Sequence, residues 1–326
     1  MSASTLHPKL YTKNLEQIPT RNGYGEALLE LAKHNRHVVV LTGDLAESTR
    51  VLEFSKKYKD QFIECGVAEQ NMAGIAAGLA LSGKIPFISS YAVFSPGRSW
   101  DQVRVSICYN NANVKIAGAH TGISVGPDGA THQALEDIAI MRTLPNIIVL
   151  APCDFEETKK ATRAAAAWNG PVYFRFTREK TPCITTVQTP FEIGKAEILK
   201  KGRDVSLIVC GPLVYKALIA ARQLMQEKIN CEVINNHTIK PLDAKALLTS
   251  IKKTKAVVTI EEHQIMGGMG SAVCELLSQH YPVPVEMIGM RDTFGESGKQ
   301  EELLEKYGMG VKDINTAVHK VLKRKT

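Results

Sequence analysis

The chain has 326 residues, of which 44% are hydrophobic and 22% charged, and a formal net charge of +7. This composition excludes disordered, collagenous and membrane classes, and the length exceeds what one hydrophobic core ordinarily reaches, so two domains are expected. Part of the positive charge lies in the terminal "HKVLKRKT"; no aromatic-interleaved basic cluster accompanies it, which argues for a solvated tail and against a nucleic-acid partner.

The amino-terminal "MSASTLHPKLYTKNLEQ" lacks the uninterrupted apolar segment of a secretory signal, so a cytoplasmic protein is the expectation. Strand-like apolar runs follow: "HVVVLTG" (37–43), "QFIEC" (61–65), "IPFISS" (85–90), "NVKIAGA" (113–119), "NIIVLAP" (146–152) and "PVYFRF" (171–176). Helical patterns lie between them. One of these, "MAGIAAGLALSG" (72–83), is too short to span a bilayer and reads as a buried helix. Another, "FEETKKATRAAAAW", follows Asp154, which supplies the acidic cap of a helix start. Pro182 and Pro190 then interrupt the rhythm, before it resumes with "DVSLIVCG", "CEVINN", "AVVTIEE" and "PVEMIG". The alternation predicts an α/β protein of two domains with mainly parallel sheets flanked by helices, bounded at 1–180 and 201–326 with a linker at 181–200. The seven cysteines (Cys65, Cys108, Cys153, Cys183, Cys210, Cys231 and Cys274) are odd in number and contain no C-x-x-C pair, so free thiols are expected rather than disulfides or a zinc site.

In open α/β sheets, ligands collect where loops leave the carboxyl ends of strands. After Gly43, Asp44 and Ser48 sit where a helix would begin; they either cap it or offer donors to an anion. Glu69 is the lone acid opening the apolar helix, either complementing the helix dipole or serving as a buried carboxylate with a functional partner. Tyr91, Phe94 and Trp100 surround a turn, as core residues or as a pocket for a flat heterocycle. His120, Asp128 and His132 share a glycine-rich loop. Their spacing fits no metal-ligand pair, so they suit hydrogen bonding and proton transfer, or a loop braced by its own side chains. In the second domain "EEHQIMGGMG" is a candidate ligand loop, with His263 as a helix-start residue.

Together, "TGDLAEST", "GVAEQNMAGIAAGLAL", "GISVGPDGATHQALEDIAIMRTLPNIIVLAPCD" and "EEHQIMGGMGSAV" resemble, in order, the carboxyl-terminal half of transketolase, from about Tyr24 onward. The resemblance implies thiamine diphosphate as cofactor. It places Glu69 on the pyrimidine N1′, where it favours the tautomer that activates the cofactor, with Tyr91 and Phe94 lining the pyrimidine pocket and Asp44 near cofactor and donor sugar. It implies that His120 and His132 face the sugar, that Asp128 reads a hydroxyl, and that Ser48 and Arg178 bind the sugar phosphate. The loop glycines would let the backbone pass close to the sugar. Glu69, His120 and His132 are thus the expected catalytic residues.

A third aromatic usual after Phe94 is replaced by "SPGR", which leaves Gly97 and Arg98 without a role. The G-D-G motif that holds the bridging metal in whole transketolases is missing. The resemblance therefore implies the separately encoded C-terminal subunit of a split transketolase. An N-terminal partner would hold magnesium or calcium in an α2β2 assembly, and the Ala/Gly-rich helix would meet a second protomer. The implied activity is transfer of a two-carbon ketol unit between sugar phosphates, as in the pentose phosphate pathway. Deoxyxylulose-phosphate synthase is similar but lacks a His matching His120, and the β subunit of 2-oxo acid dehydrogenases lacks "GPDGATHQ". The alternative from another class is a non-catalytic structural or regulatory subunit of the same fold, against which the joint presence of Glu69, His120, Asp128 and His132 argues.

Overall fold

The structure, a computed structural model, describes residues 6–325; the expectation drawn from the extreme amino terminus rests partly on residues outside them. The first half runs through β1 (Gln17–Pro19), α1 (Thr20–His34), β2 (Val38–Thr42), α2 (Leu52–Lys57), β3 (Phe62–Glu64), α3 (Glu69–Leu81) and β4 (Ile85–Tyr91). It continues with α4 (Trp100–Gln102), extended by a π-helical stretch over Val103–Tyr109, then β5 (Lys115–Ala119), α5 (Asp137–Arg142), β6 (Ile148–Leu150), α6 (Phe155–Ala167), β7 (Val172–Phe176) and β8 (Lys180–Pro182). The second half comprises β9 (Glu197–Lys200), β10 (Val205–Val209), α7 (Leu213–Gln226), β11 (Cys231–Asn235), β12 (Thr238–Lys240) and α8 (Ala244–Thr254). It ends with β13 (Val257–Gln264), α9 (Met269–His280), β14 (Val285–Met290), α10 (Gln300–Lys306) and α11 (Val311–Lys323).

Strands β2, β5, β7, β10 and β11 are buried at every residue. Continuous apolar strands of this kind belong to parallel sheets covered on both faces. The larger sheet has the order β12-β6-β7-β5-β4-β2-β3 and is parallel except for β12. The smaller, β14-β13-β10-β11-β9, is parallel except for β9. This is the α/β architecture expected. The halves are not separate bodies, because β12 leaves the second half to pair with β6 of the first. One core also spans them, packing Ile116, Met141 and Val149 with Ile208, Ile234 and Leu247.

Several details depart from the sequence expectation. The segment read as a linker carries structure at both ends, since β8 pairs antiparallel with β1 and β9 edges the second sheet. Between them, Asp154 caps α6 through the Glu157 N–H (2.9 Å) and also accepts from the N–H groups of Ile184 (2.7 Å) and Thr185 (2.6 Å). One buried carboxylate therefore ties the connection to a helix start; removing such a cap costs about 1 kcal/mol or more. Helix α3 is buried on one face only. Met72, Ala73, Ala76 and Ala77 pack inward, whereas a Cβ added at Gly74 or Gly78 would meet nothing within 4 Å. No helix among the described residues is long and apolar enough to cross a membrane, and the seven cysteines are free thiols.

Candidate functional site

The carboxyl edge of the larger sheet gathers most of the singled-out residues. Tyr91 ends β4, His120 follows β5 and Arg178 lies just past β7. Tyr91 stacks on His120 with ring centroids 4.0 Å apart and lies 5.9 Å from Phe94. His132 stands edge-on to both aromatics, at 5.8 and 5.5 Å, and its Nδ1 is 2.8 Å from the Thr131 hydroxyl. Trp100 is not part of this group; its indole N–H donates to the Ile140 carbonyl at 3.0 Å and its ring packs toward the core.

Glu69 opens α3 and is 1% exposed. Its Oε2 is 2.9 Å from Arg98 Nη1, and its Oε1 is buried without a hydrogen-bond partner among the described residues. An orphaned buried carboxylate oxygen is costly, and its position marks where a donor from a ligand would be accepted.

His120 adopts a left-handed backbone, with φ of 54°, rare for a residue other than glycine. Arg21 Nη1 donates to its Nε2 at 3.0 Å and to the Ser48 carbonyl at 2.8 Å. A guanidinium can only donate, so Nε2 is the acceptor and the ring proton sits on Nδ1. That nitrogen is buried and has no partner among the described residues, leaving an N–H donor for a ligand. Burial, reinforced by Arg21, Arg178, His132 and Arg50, pushes the His120 pKa down to about 3. The ring is therefore a neutral hydrogen-bond donor at ordinary pH, which removes it from proton transfer as an imidazolium. An unfolded histidine takes up its proton near pH ~6.5, so holding His120 neutral costs stability as the pH falls from there toward about 3. In an NMR titration of labelled histidines, the His120 resonance should not titrate between about pH 5.5 and 8, and Arg21→Met should move its midpoint upward; a wild-type midpoint of about 6.5 would contradict the neutral ring at ordinary pH.

Three arginines converge beside this histidine. Burial and the charges of Arg50 and Arg178 lower the Arg21 pKa to about 10. Asp128 and Glu179 lie within 3.5 Å of Arg178 and offset part of this charge; the remaining excess of cations suits a bound anion, for which the planar guanidinium fork is well matched. Arg178 Nη1 also donates to the Val125 carbonyl (3.0 Å) and lies 3.4 Å from Asp128 Oδ1, so Arg178 and Asp128 are paired with each other. Arg21 and Arg50 were not singled out in the sequence. The only local signal is a cation in the first turn of α1, where the helix dipole disfavours it, and that turn is recognisable only once the helix start is known.

Two sequence expectations need correction here. Asp44 and Ser48 do not cap a helix, because Asp44 has φ of 60° and the chain runs through turns until α2 begins at Leu52. Instead, the Asp44 N–H donates to Glu64 Oε1 (2.7 Å), while Ser48 is engaged through its carbonyl. Asp44 is on the same sheet edge but touches none of the ring cluster through a hydrogen bond or ion pair. His263 is likewise no helix-start residue: it lies within β13, fully buried, and burial lowers its pKa to about 4.

The glycine-rich loop is braced by its own Gln133 side chain and also from the second half of the chain. The Ser124 N–H donates to Glu262 Oε1, and Gln133 Nε2 donates to the carbonyls of Ile123 (3.1 Å) and Glu296 (2.9 Å). Gly122 has φ of 81°, and a Cβ there would lie 2.3 Å from Glu262 Oε1. This glycine is required by the approach of Glu262.

These features define a two-domain α/β protein with a polar, aromatic-walled site at the carboxyl edge of its larger sheet. The transketolase pyrimidine-binding domain matches residues 16–183 and the transketolase C-terminal domain residues 194–314. The chain belongs to the transketolase family. It is 44% identical to the transketolase C-terminal section of Methanocaldococcus jannaschii, over 93% of this chain and 96% of that protein. It is 42% identical to the 6-deoxy-6-sulfo-D-fructose transketolase subunit of a Clostridium species, over 95% of this chain and 97% of that one. A solved split-gene transketolase, described as an inactive β4 tetramer, superposes with a TM-score of 0.89 at 46% identity, covering 95% of this chain and all of that chain.

Proposed function

We propose that this chain is the C-terminal subunit of a split, thiamine-diphosphate-dependent transketolase that moves a two-carbon ketol unit from a ketose phosphate to an aldose phosphate. It acts with an N-terminal subunit that holds the cofactor's diphosphate and a magnesium or calcium ion, in an α2β2 assembly. The observation that carries the reading is the unpartnered Glu69 Oε1, set in one continuous group with Arg98, Phe94, Tyr91, His132 and His120. A buried acceptor beside flat aromatic faces fits a pyrimidine with a nitrogen edge.

Thiamine diphosphate supplies a nucleophilic carbon and an electron sink for the two-carbon unit. The chain supplies the rest. Glu69 accepts from the pyrimidine and fixes its tautomer. Tyr91 and Phe94 wall the ring and exclude water. His120 donates its Nδ1–H to a sugar oxygen, and His132, nearer the loop surface, is the better placed of the two for moving a proton. Asp128, on the exposed part of the loop and paired with Arg178, reads a sugar hydroxyl. Arg21, Arg50 and Arg178, with Ser48, hold the sugar's phosphate, and Asp44 lies toward the donor sugar.

The solved split-gene relative, described as an inactive β4 tetramer, supports the need for a second kind of chain. The open Gly74–Gly78 face of α3 is the surface proposed to meet a second copy. Mixed with its N-terminal partner, thiamine diphosphate and magnesium, the protein should convert xylulose 5-phosphate and ribose 5-phosphate, and alone it should self-associate without turnover. A well-folded complex inactive toward these and other sugar phosphates sinks the assignment.

A further inference from the structure

We propose that Arg98 is a built-in stand-in for the cofactor's aminopyrimidine: in the cofactor-free chain its guanidinium fills the seat beside Glu69 and must leave before the pyrimidine can enter. The inference rests on the functional reading above, in which Glu69 is the pyrimidine's partner. Its basis is that one side chain covers the Phe94 face on which an aminopyrimidine would stack while donating to the same carboxylate, on Oε2 beside the Oε1 left open for the pyrimidine. Arg98 Nη1 is 2.9 Å from Glu69 Oε2, and the guanidinium carbon lies 4.5 Å from the centroid of Phe94. A guanidinium is planar and delocalised, bears N–H donors along its edge and stacks on aromatic faces. An aminopyrimidine is also flat, stacks the same way and turns a nitrogen edge to the carboxylate.

The local backbone is shaped for this placement. The Arg98 N–H donates to the Phe94 carbonyl (2.8 Å) and the Gly97 N–H to the Ala92 carbonyl (3.2 Å), which folds the turn back over the Phe94 ring. A Cβ at Gly97 would lie 2.2 Å from the Val93 carbonyl oxygen, so only glycine closes the turn. "SPGR" thus places a cation where the family pattern leads one to expect a third aromatic.

Exposure gives the pair a direction. The Glu69 side chain is 1% exposed and fixed at a helix start, whereas that of Arg98 is 49% exposed. The arginine can therefore retreat into water by turning its own side chain, and the carboxylate cannot move. Without Arg98 both carboxylate oxygens would be buried and unpaired; with it, only Oε1 is. Cofactor binding becomes an exchange of partners on a buried acid, and apparent affinity is reduced by the fraction of chains in which Arg98 is seated.

The test is a fluorescence titration of thiamine diphosphate with magnesium into the complex of this chain and its N-terminal partner, alongside thermal melting of the cofactor-free chain. Arg98→Met should bind the cofactor about tenfold more tightly, corresponding to a seated state favoured by that factor, and should melt below wild type because Glu69 loses its partner. Arg98→Lys, which keeps the charge but not the plane, should fall between the two in both measurements. Unchanged or weaker cofactor binding by Arg98→Met, with wild type binding normally, overturns the stand-in and leaves the transketolase reading intact. Equal melting of Arg98→Met and wild type overturns the pairing. Absence of cofactor binding by the wild-type complex removes the functional reading and this inference with it.

Discussion

Glu69→Gln is expected to lower ketol transfer by the assembled enzyme at least about 100-fold, the lower range for a group that controls proton position in a transition state, while the chain keeps its fold. Glutamine has nearly the same shape and still offers a carbonyl to Arg98, so the start of α3 and the packing around it should survive. What it lacks is the negative charge that favours a proton on the pyrimidine nitrogen facing Oε1. The stability cost is small because of which partner is removed: Arg98 is half-exposed, so a guanidinium released from the pair stays hydrated, and partly exposed ion pairs add little. Removing the arginine instead strands the buried acid, the more expensive way to break such a pair. Steady-state assays with xylulose 5-phosphate and ribose 5-phosphate, set beside melting curves, check both halves of this expectation. A well-folded variant of normal rate would take Glu69 out of the mechanism.

The parts of the fold that were legible are those whose signal is local. Strands β2, β5 and β7 announce themselves as short runs of mostly apolar and aromatic residues because both their faces are covered. The Asp154 cap is legible because it needs only the residue three positions later. Strands β1, β8 and β12 are three residues each, and each exists through pairing with a distant segment; nothing in their own composition specifies a strand. The site divides the same way. A single acid opening an Ala/Gly helix, and polar residues on a glycine-rich loop after a strand, can be picked out from sequence. The convergence of Arg21, Arg50 and Arg178 on His120 depends on a helix start and two loops meeting at one sheet edge. The His120 tautomer depends on which atom Arg21 reaches, and the bracing of the loop on Glu262 depends on how the two sheets sit together. The left-handed turn at Asp44 also misleads, because its residues have the composition of a helix cap.

The same dependence on assembly makes Arg175→Met the substitution with the largest expected effect on stability, a loss of about 3–5 kcal/mol and a fall in melting temperature of roughly 5–10 °C. Arg175 lies on β7, 5% exposed. Its Nε and Nη2 stand 2.9 and 3.1 Å from the two oxygens of Asp137, which also accepts from the Tyr173 hydroxyl at 2.6 Å. Burial by itself would lower the arginine's pKa, but Asp137 overrides it and holds the charge. The guanidinium then donates to the Glu262 carbonyl at 3.3 and 3.2 Å and to the Ala134 carbonyl at 3.4 Å. One side chain therefore joins β7 to the second half of the chain and to the far end of the loop that carries His120 and His132. Methionine fills much of the volume but leaves Asp137 charged in the interior with only the tyrosine for company. Adding Asp137→Leu should recover part of the loss, because an apolar pair can replace a buried ion pair at little cost. Calorimetry on both single variants and the double variant measures the coupling directly. A loss below about 1 kcal/mol for Arg175→Met, the scale of an ordinary surface pair, would mean that the shared core and the β12–β6 pairing hold the two halves without help from this ion pair. In the assembled enzyme the same variant should raise KM for the sugar more than it lowers kcat, since what it loosens is the loop proposed to contact the substrate and not the carboxylate proposed to orient the cofactor.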